Sequence, residues 1–133
     1  MGCGLQTTNQ AVKTALLLIA HGSREDEANA DLHRIVAEMR LRGGYPIVEP
    51  AFLELSEPTI EAAGQRCVEH GAERVILLPY FLSAGVHVRH DLEDCRSRLA
   101  EHYPLVCFRL AEPLGPDPAL LDVLVLRARQ AEG

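Results

Sequence analysis

Short, continuously apolar runs alternate along the chain with amphipathic stretches of helical period. The first run, "TALLLIA" (14–20), closed by "HGS", has the pattern of a strand buried on both faces of a parallel sheet. A helix is predicted next. Ser23 is its expected cap with Asp26 three residues on, Ala28, Leu32, Ile35, Val36 and Met39 fall on one face, and Gly43-Gly44 ends it. The second run, "IVEPAFLEL" (47–55), leads to a helix expected to open at Ser56 with Pro58 in its first turn. That helix turns Ile60, Ala63, Cys67 and Val68 inward and stops at Gly71. Pro50 cannot donate to a ladder, so this strand belongs at a sheet edge or starts late, near Ala51. The third run, "RVILLPYFL" (74–82), passes through "SAGVHVRH" into a helix with Leu92, Cys95 and Leu99 on one side. The fourth, "PLVCFRLA" (104–111), precedes Asp117-Pro118, a cap followed by proline at the first helical position, and a last helix "ALLDVLVLRARQ".

Strand alternating with helix four times predicts an α/β, flavodoxin-like three-layer sandwich: a four-stranded parallel sheet of order 2-1-3-4 with helices on both faces. One domain, 14–133, follows a loose leader at 1–13. In the last helix Leu120, Leu121, Val123, Leu124, Val125 and Leu126 wrap most of the circumference, wider than an amphipathic surface stripe. Either a second subunit covers the surplus or it is buried within the domain.

Composition narrows the function. With 133 residues, 47% hydrophobic and no low-complexity tract, the chain has enough length for a core without staples. No run approaches the roughly 20 apolar residues of a membrane helix, so no membrane association is expected. A net charge of −6 and the absence of Trp argue against nucleic acid as partner. The cysteines, at 3, 67, 95 and 107, form no C-x-x-C; three sit in apolar or amphipathic patterns where a free thiol packs as a small hydrophobe, and a reducing cytoplasm is the expected location.

The chemistry lies at the ends of the apolar runs. Glu54 stands 33 residues after His21, and His87 stands 33 residues after Glu54. That interval is about one βα repeat. Equal spacing puts all three at the carboxyl ends of strands 1, 2 and 3, neighbours in the expected order and the edge where open α/β sheets bind ligands. Two imidazoles and a carboxylate suit a divalent first-row metal such as Co, Ni, Fe or Zn, and three ligands leave positions open for another partner.

"LLLIAHGSR", "AFLELSEPTI" and "VILLPYFLSAGVHVRHDL", in this order and spacing, resemble the small, single-domain class of tetrapyrrole chelatases that act on sirohydrochlorin in the cobalamin and siroheme pathways. The likeness runs over roughly residues 14 to 126. It implies that His21 and His87 are active-site histidines and that Glu54 joins them around the metal ion. It implies a homodimer at this length. Asp91 matches an acidic position after the second histidine and is read as a helix cap; His90 matches no active-site position and is read as a surface or substrate-edge residue. The metal, Co²⁺ or alternatively Fe²⁺ or Ni²⁺, is then a substrate, and no prosthetic group is expected.

Insertion requires removal of two pyrrole N–H protons, which histidine, with an unperturbed pKa of about 6.5, can accept. A substrate with many carboxylates must be met by local donors on an acidic protein. The candidates are Arg24 and Arg89, with Ser23, Gly85 and the free N–H groups of the helix starts expected near Ser23, Ser56 and Asp91. Two rivals remain. A noncatalytic metal carrier would use the same ligands. A histidine-phosphatase-like hydrolase also begins with strand and His-Gly, but has arginine before the histidine where this chain has Ala20.

Overall fold

A computed structural model describes residues 12–133, so the leader expected at 1–13 lies almost wholly outside the described residues. The apolar runs form strands β1 (Thr14–Ala20), β2 (Ile47–Phe52), β3 (Arg74–Pro79) and β4 (Cys107–Leu110). The intervening stretches form helices α1 (Asp26–Arg42), α2 (Ile60–Glu69), α3 (Val86–His102) and α4 (Pro118–Glu132). All pairings are parallel and the order is β2-β1-β3-β4, as expected. Pro50 is accommodated because β2 is an edge strand: its ladder with β1 continues through the Leu18–Pro50 pair.

Central β1 is buried on both faces. Ala15, Leu17 and Ile19 pack with Ile60, Ala63 and Cys67 of α2 and Leu92, Cys95 and Leu99 of α3, while Leu16 and Leu18 pack with Leu32 and Val36 of α1. Gly64 sits where α2 meets α3, and a Cβ there would stand 2.7 Å from a Leu99 methyl carbon, so that side chain would have to shift.

Three helix starts differ from expectation. Ser23 does not cap α1: the cap is Glu25, without a side-chain bond. Helix α2 is capped by Thr59, whose hydroxyl accepts the Ala62 N–H, and not by Ser56. Helix α3 starts at Val86 behind Gly85, which places Asp91 inside the helix. The strands also end earlier, β2 at Phe52 and β3 at Pro79, because the chain turns once the ladder is complete. Asp117 does cap α4, accepting the Ala119 N–H at 2.9 Å.

Burial within the domain is overturned for α4. None of its residues is buried, and Leu121 and Leu124 remain 60% and 64% exposed. Cys67 and Cys95 are buried free thiols, Cys67 pushed up to about 12 by burial and then by Glu49. Cys107 departs from the free-thiol expectation and is disulfide-bonded, so cysteine usage no longer argues for a reducing compartment. Among the described residues no helix is long and apolar enough to cross a membrane.

Candidate functional site

Register explains how the carboxyl edge assembles. Ala20 pairs with Phe52, so two residues on, Gly22 and Glu54 come level. The Glu54 N–H donates to the His21 carbonyl at 3.0 Å, and the Leu53 N–H to that of Ala20 at 2.9 Å, extending the contact past the strand ends. Gly22 has φ +99°, and a Cβ there would lie 1.8 Å from the Glu54 carbonyl oxygen, so only glycine lets the two turns touch. Leu55, directly after Glu54, has φ 64°, an uncommon conformation for a leucine. The loop then folds back, with the Phe52 N–H donating to the Pro58 carbonyl at 2.9 Å.

His87 is the second residue of α3, whose first turn carries no acidic residue and whose cap, Gly85, offers no side-chain bond. The turn's N–H groups are thus left for an anion. His21, Glu54 and His87 are all exposed. Their side chains form no ion pair or hydrogen bond among the described residues. The structure brings His21 and Glu54 into backbone contact and sets His87 on the neighbouring loop-helix junction. Among the described residues, no three His, Cys, Asp or Glu side chains are drawn together closely enough to hold a metal ion.

The other expected residues divide. Arg24 is exposed and makes no ion pair or side-chain hydrogen bond among the described residues, whereas Arg89 donates to the Ala84 carbonyl at 3.2 Å and lies 3.5 Å from Glu112. His90 is exposed, in keeping with a surface role. Ser23 organises the β1–α1 turn, its hydroxyl accepting the Glu25 N–H at 3.0 Å. Asp91 joins Glu54, Glu61 and Asp94 around a cavity of about 270 Å³ beside the site, where Arg98 is the basic residue.

Asn29 escaped the sequence reading. Its side chain accepts the Ser23 N–H at 3.0 Å and donates to the Ser23 carbonyl at 2.8 Å and the Ser56 hydroxyl at 3.1 Å. One amide therefore ties the loop after β1 to the loop after β2. The signal, a polar side chain on the inward side of α1 beside two loop serines, has meaning only once the loops are known to be adjacent.

The chain is 39% identical to the chloroplastic sirohydrochlorin ferrochelatase of Arabidopsis thaliana, over 82% of this chain and 48% of that protein. It is 30% identical to the sirohydrochlorin cobaltochelatase of Sulfolobus acidocaldarius, over 87% of this chain and 90% of that one. The sirohydrochlorin chelatase SirB from Bacillus subtilis subspecies spizizenii, solved in complex with cobalt, superposes with a TM-score of 0.82 at 30% identity, over 90% of this chain and 51% of SirB. The chain thus spans about half the length of the first curated relatives it matches. Residues 15–131 match CbiX, and the chain belongs to this family of sirohydrochlorin chelatases.

Proposed function

We propose that this protein inserts a divalent cation, Co²⁺ or alternatively Fe²⁺ or Ni²⁺, into sirohydrochlorin. The observation that carries the reading is the trio His21, Glu54 and His87, exposed and without ion pair or side-chain hydrogen bond among the described residues, on the segments that follow three adjacent strands. The incoming ion draws the two imidazoles and the carboxylate together, with open positions left toward the macrocycle. As metal–nitrogen bonds form at the ring centre, two pyrrole N–H bonds break. A histidine released by the departing ion takes up the two protons in turn and passes each to solvent.

The surroundings support this substrate. Leu55, Leu82 and Val86 are 54%, 65% and 72% exposed on the loops of this edge, an apolar surface for a flat macrocycle. Arg24, Ser23 and the open first turn of α3 behind Gly85 receive its peripheral carboxylates, and Arg89 joins them by exchanging Glu112 for substrate. The acidic cavity beside Glu54 concentrates cations near the site.

The chain acts as a homodimer through α4. Its uncovered apolar surface supports this: a second copy packed on α4 covers it.

The test is the absorbance change of sirohydrochlorin under anaerobic conditions with each metal, against the spontaneous rate. Acceleration lost in His21→Ala and His87→Ala is expected. Cobalt binding that needs both histidines but gives no acceleration would replace the enzyme with a metal carrier.

A further inference from the structure

We propose that Phe81 is the positioning residue of His21, an inference that rests on the chelatase reading of the site. In the β1–β3 ladder Ile19 pairs with Pro79, so two residues beyond, His21 and Phe81 come side by side. Their rings meet with centroids 4.5 Å apart and planes tilted by 32°, an offset contact that covers one face of the imidazole.

This arrangement suits the function. His21 is exposed and no hydrogen bond fixes its ring among the described residues, so without Phe81 the imidazole would sample several rotamers. A contact on the ring face restrains it while leaving both edge nitrogens open, as a metal ligand or proton acceptor requires. Phe81 is itself held. It is half-buried against the core, its carbonyl accepts the Leu114 N–H at 3.1 Å, and the carbonyl of the next residue, Leu82, accepts the Gly115 N–H at 2.9 Å. A fixed aromatic ring thus does for His21 what a second hydrogen-bonded side chain commonly does for a metal-binding histidine.

The experiment compares Phe81→Ala, Phe81→Leu and Phe81→Tyr with the unmodified protein in three readouts. In the metal-free protein, the His21 Cε1–H resonance carries the ring-current shift of Phe81. It should move in the alanine and leucine variants and stay in the tyrosine variant. The Kd for Co²⁺ without tetrapyrrole should rise roughly tenfold in Phe81→Ala, and not rise further when Phe81→Ala is added to His21→Ala. The kcat for cobalt insertion should fall roughly ten- to hundredfold in Phe81→Ala and Phe81→Leu and recover in Phe81→Tyr. Leucine preserves the apolar filling, so a folded Phe81→Leu protein separates ring contact from stability.

A His21 resonance unmoved by loss of the ring, or a cobalt affinity that falls equally with and without His21, overturns the proposal. If the unmodified protein fails to accelerate insertion, the chelatase reading falls on its own, and the resonance and cobalt titration still decide whether Phe81 holds His21.

Discussion

The two ends of the sheet use the same residue types in opposite ways. At the amino end, Glu49 of β2 is buried, and its carboxylate lies 3.5 Å from Arg40, 3.5 Å from Arg66 and 3.8 Å from His70. Arg40 also donates twice to the Val48 carbonyl, at 2.9 and 2.6 Å, fastening the end of α1 to the edge strand. At the carboxyl end, Glu54 and two histidines stand exposed, with no ion pair or side-chain hydrogen bond among the described residues. A buried carboxylate must be compensated, and its compensators leave it nothing to offer a ligand. An exposed one needs no partner to fold and remains available to a metal. Glutamate and histidine together therefore signal chemistry only when their mutual partners are missing.

The largest effect should come from the open end. His87→Ala is expected to lower kcat for metal insertion by at least roughly a hundredfold while leaving Tm within a degree or two, measured by absorbance and calorimetry. A large drop in Tm would show that His87 belongs with Glu49 as a structural group. Gly22→Ala attacks the link between the loops. The left-handed backbone and the Glu54 carbonyl together should cost roughly 3 kcal/mol or more in denaturant unfolding, with activity lost as well.

Glu49→Ala is the reciprocal case. It should cost about 2 kcal/mol of stability, since Arg40 and Arg66 are half-exposed and rehydrate, while kcat per folded molecule stays unchanged. A loss of kcat would connect the two ends. For the proposed homodimer, Leu124→Asp should weaken self-association at least roughly tenfold by sedimentation without altering either end of the sheet.

The smallest effect concerns a pair on α3. Arg96 holds the Glu93 carboxyl below its ordinary value of 4.5 through hydrogen bonds of 2.6 to 3.0 Å. A depressed folded-state pKa contributes stability above the unfolded value and loses it as pH falls through about 4.5 and below. Because the Glu93 carboxylate is exposed to solvent, Glu93→Gln should cost only about 0.5 kcal/mol at pH 7, and the difference should vanish in acid.

Strand order, the edge position of β2 and the meeting of His21 with Glu54 were legible because each rests on short apolar runs and repeat length, properties local to the chain; His87 instead lies within α3, eight residues beyond the end of β3. The helix starts were not. Ser23 and Ser56 look like caps, but the Ser23 hydroxyl accepts the Glu25 N–H within its own turn and the Ser56 hydroxyl accepts from Asn29 of α1, so other contacts override the local signal. Asp91 resembles a cap after "HVRH", yet the chain enters α3 five residues sooner, at Val86 behind Gly85. The Phe81–His21 contact lay hidden in the register, which no single strand contains.

Pro50 carries one more consequence. A parallel sheet with two open edges is a template on which further strands, from a neighbouring or partly unfolded chain, can stack. Here β2 lacks an outward N–H donor at Pro50, and β4, at the other margin, is only four residues long. Both margins are poor seeds for fibrous growth, so α4 can keep an exposed apolar surface without the sheet becoming the route to aggregation.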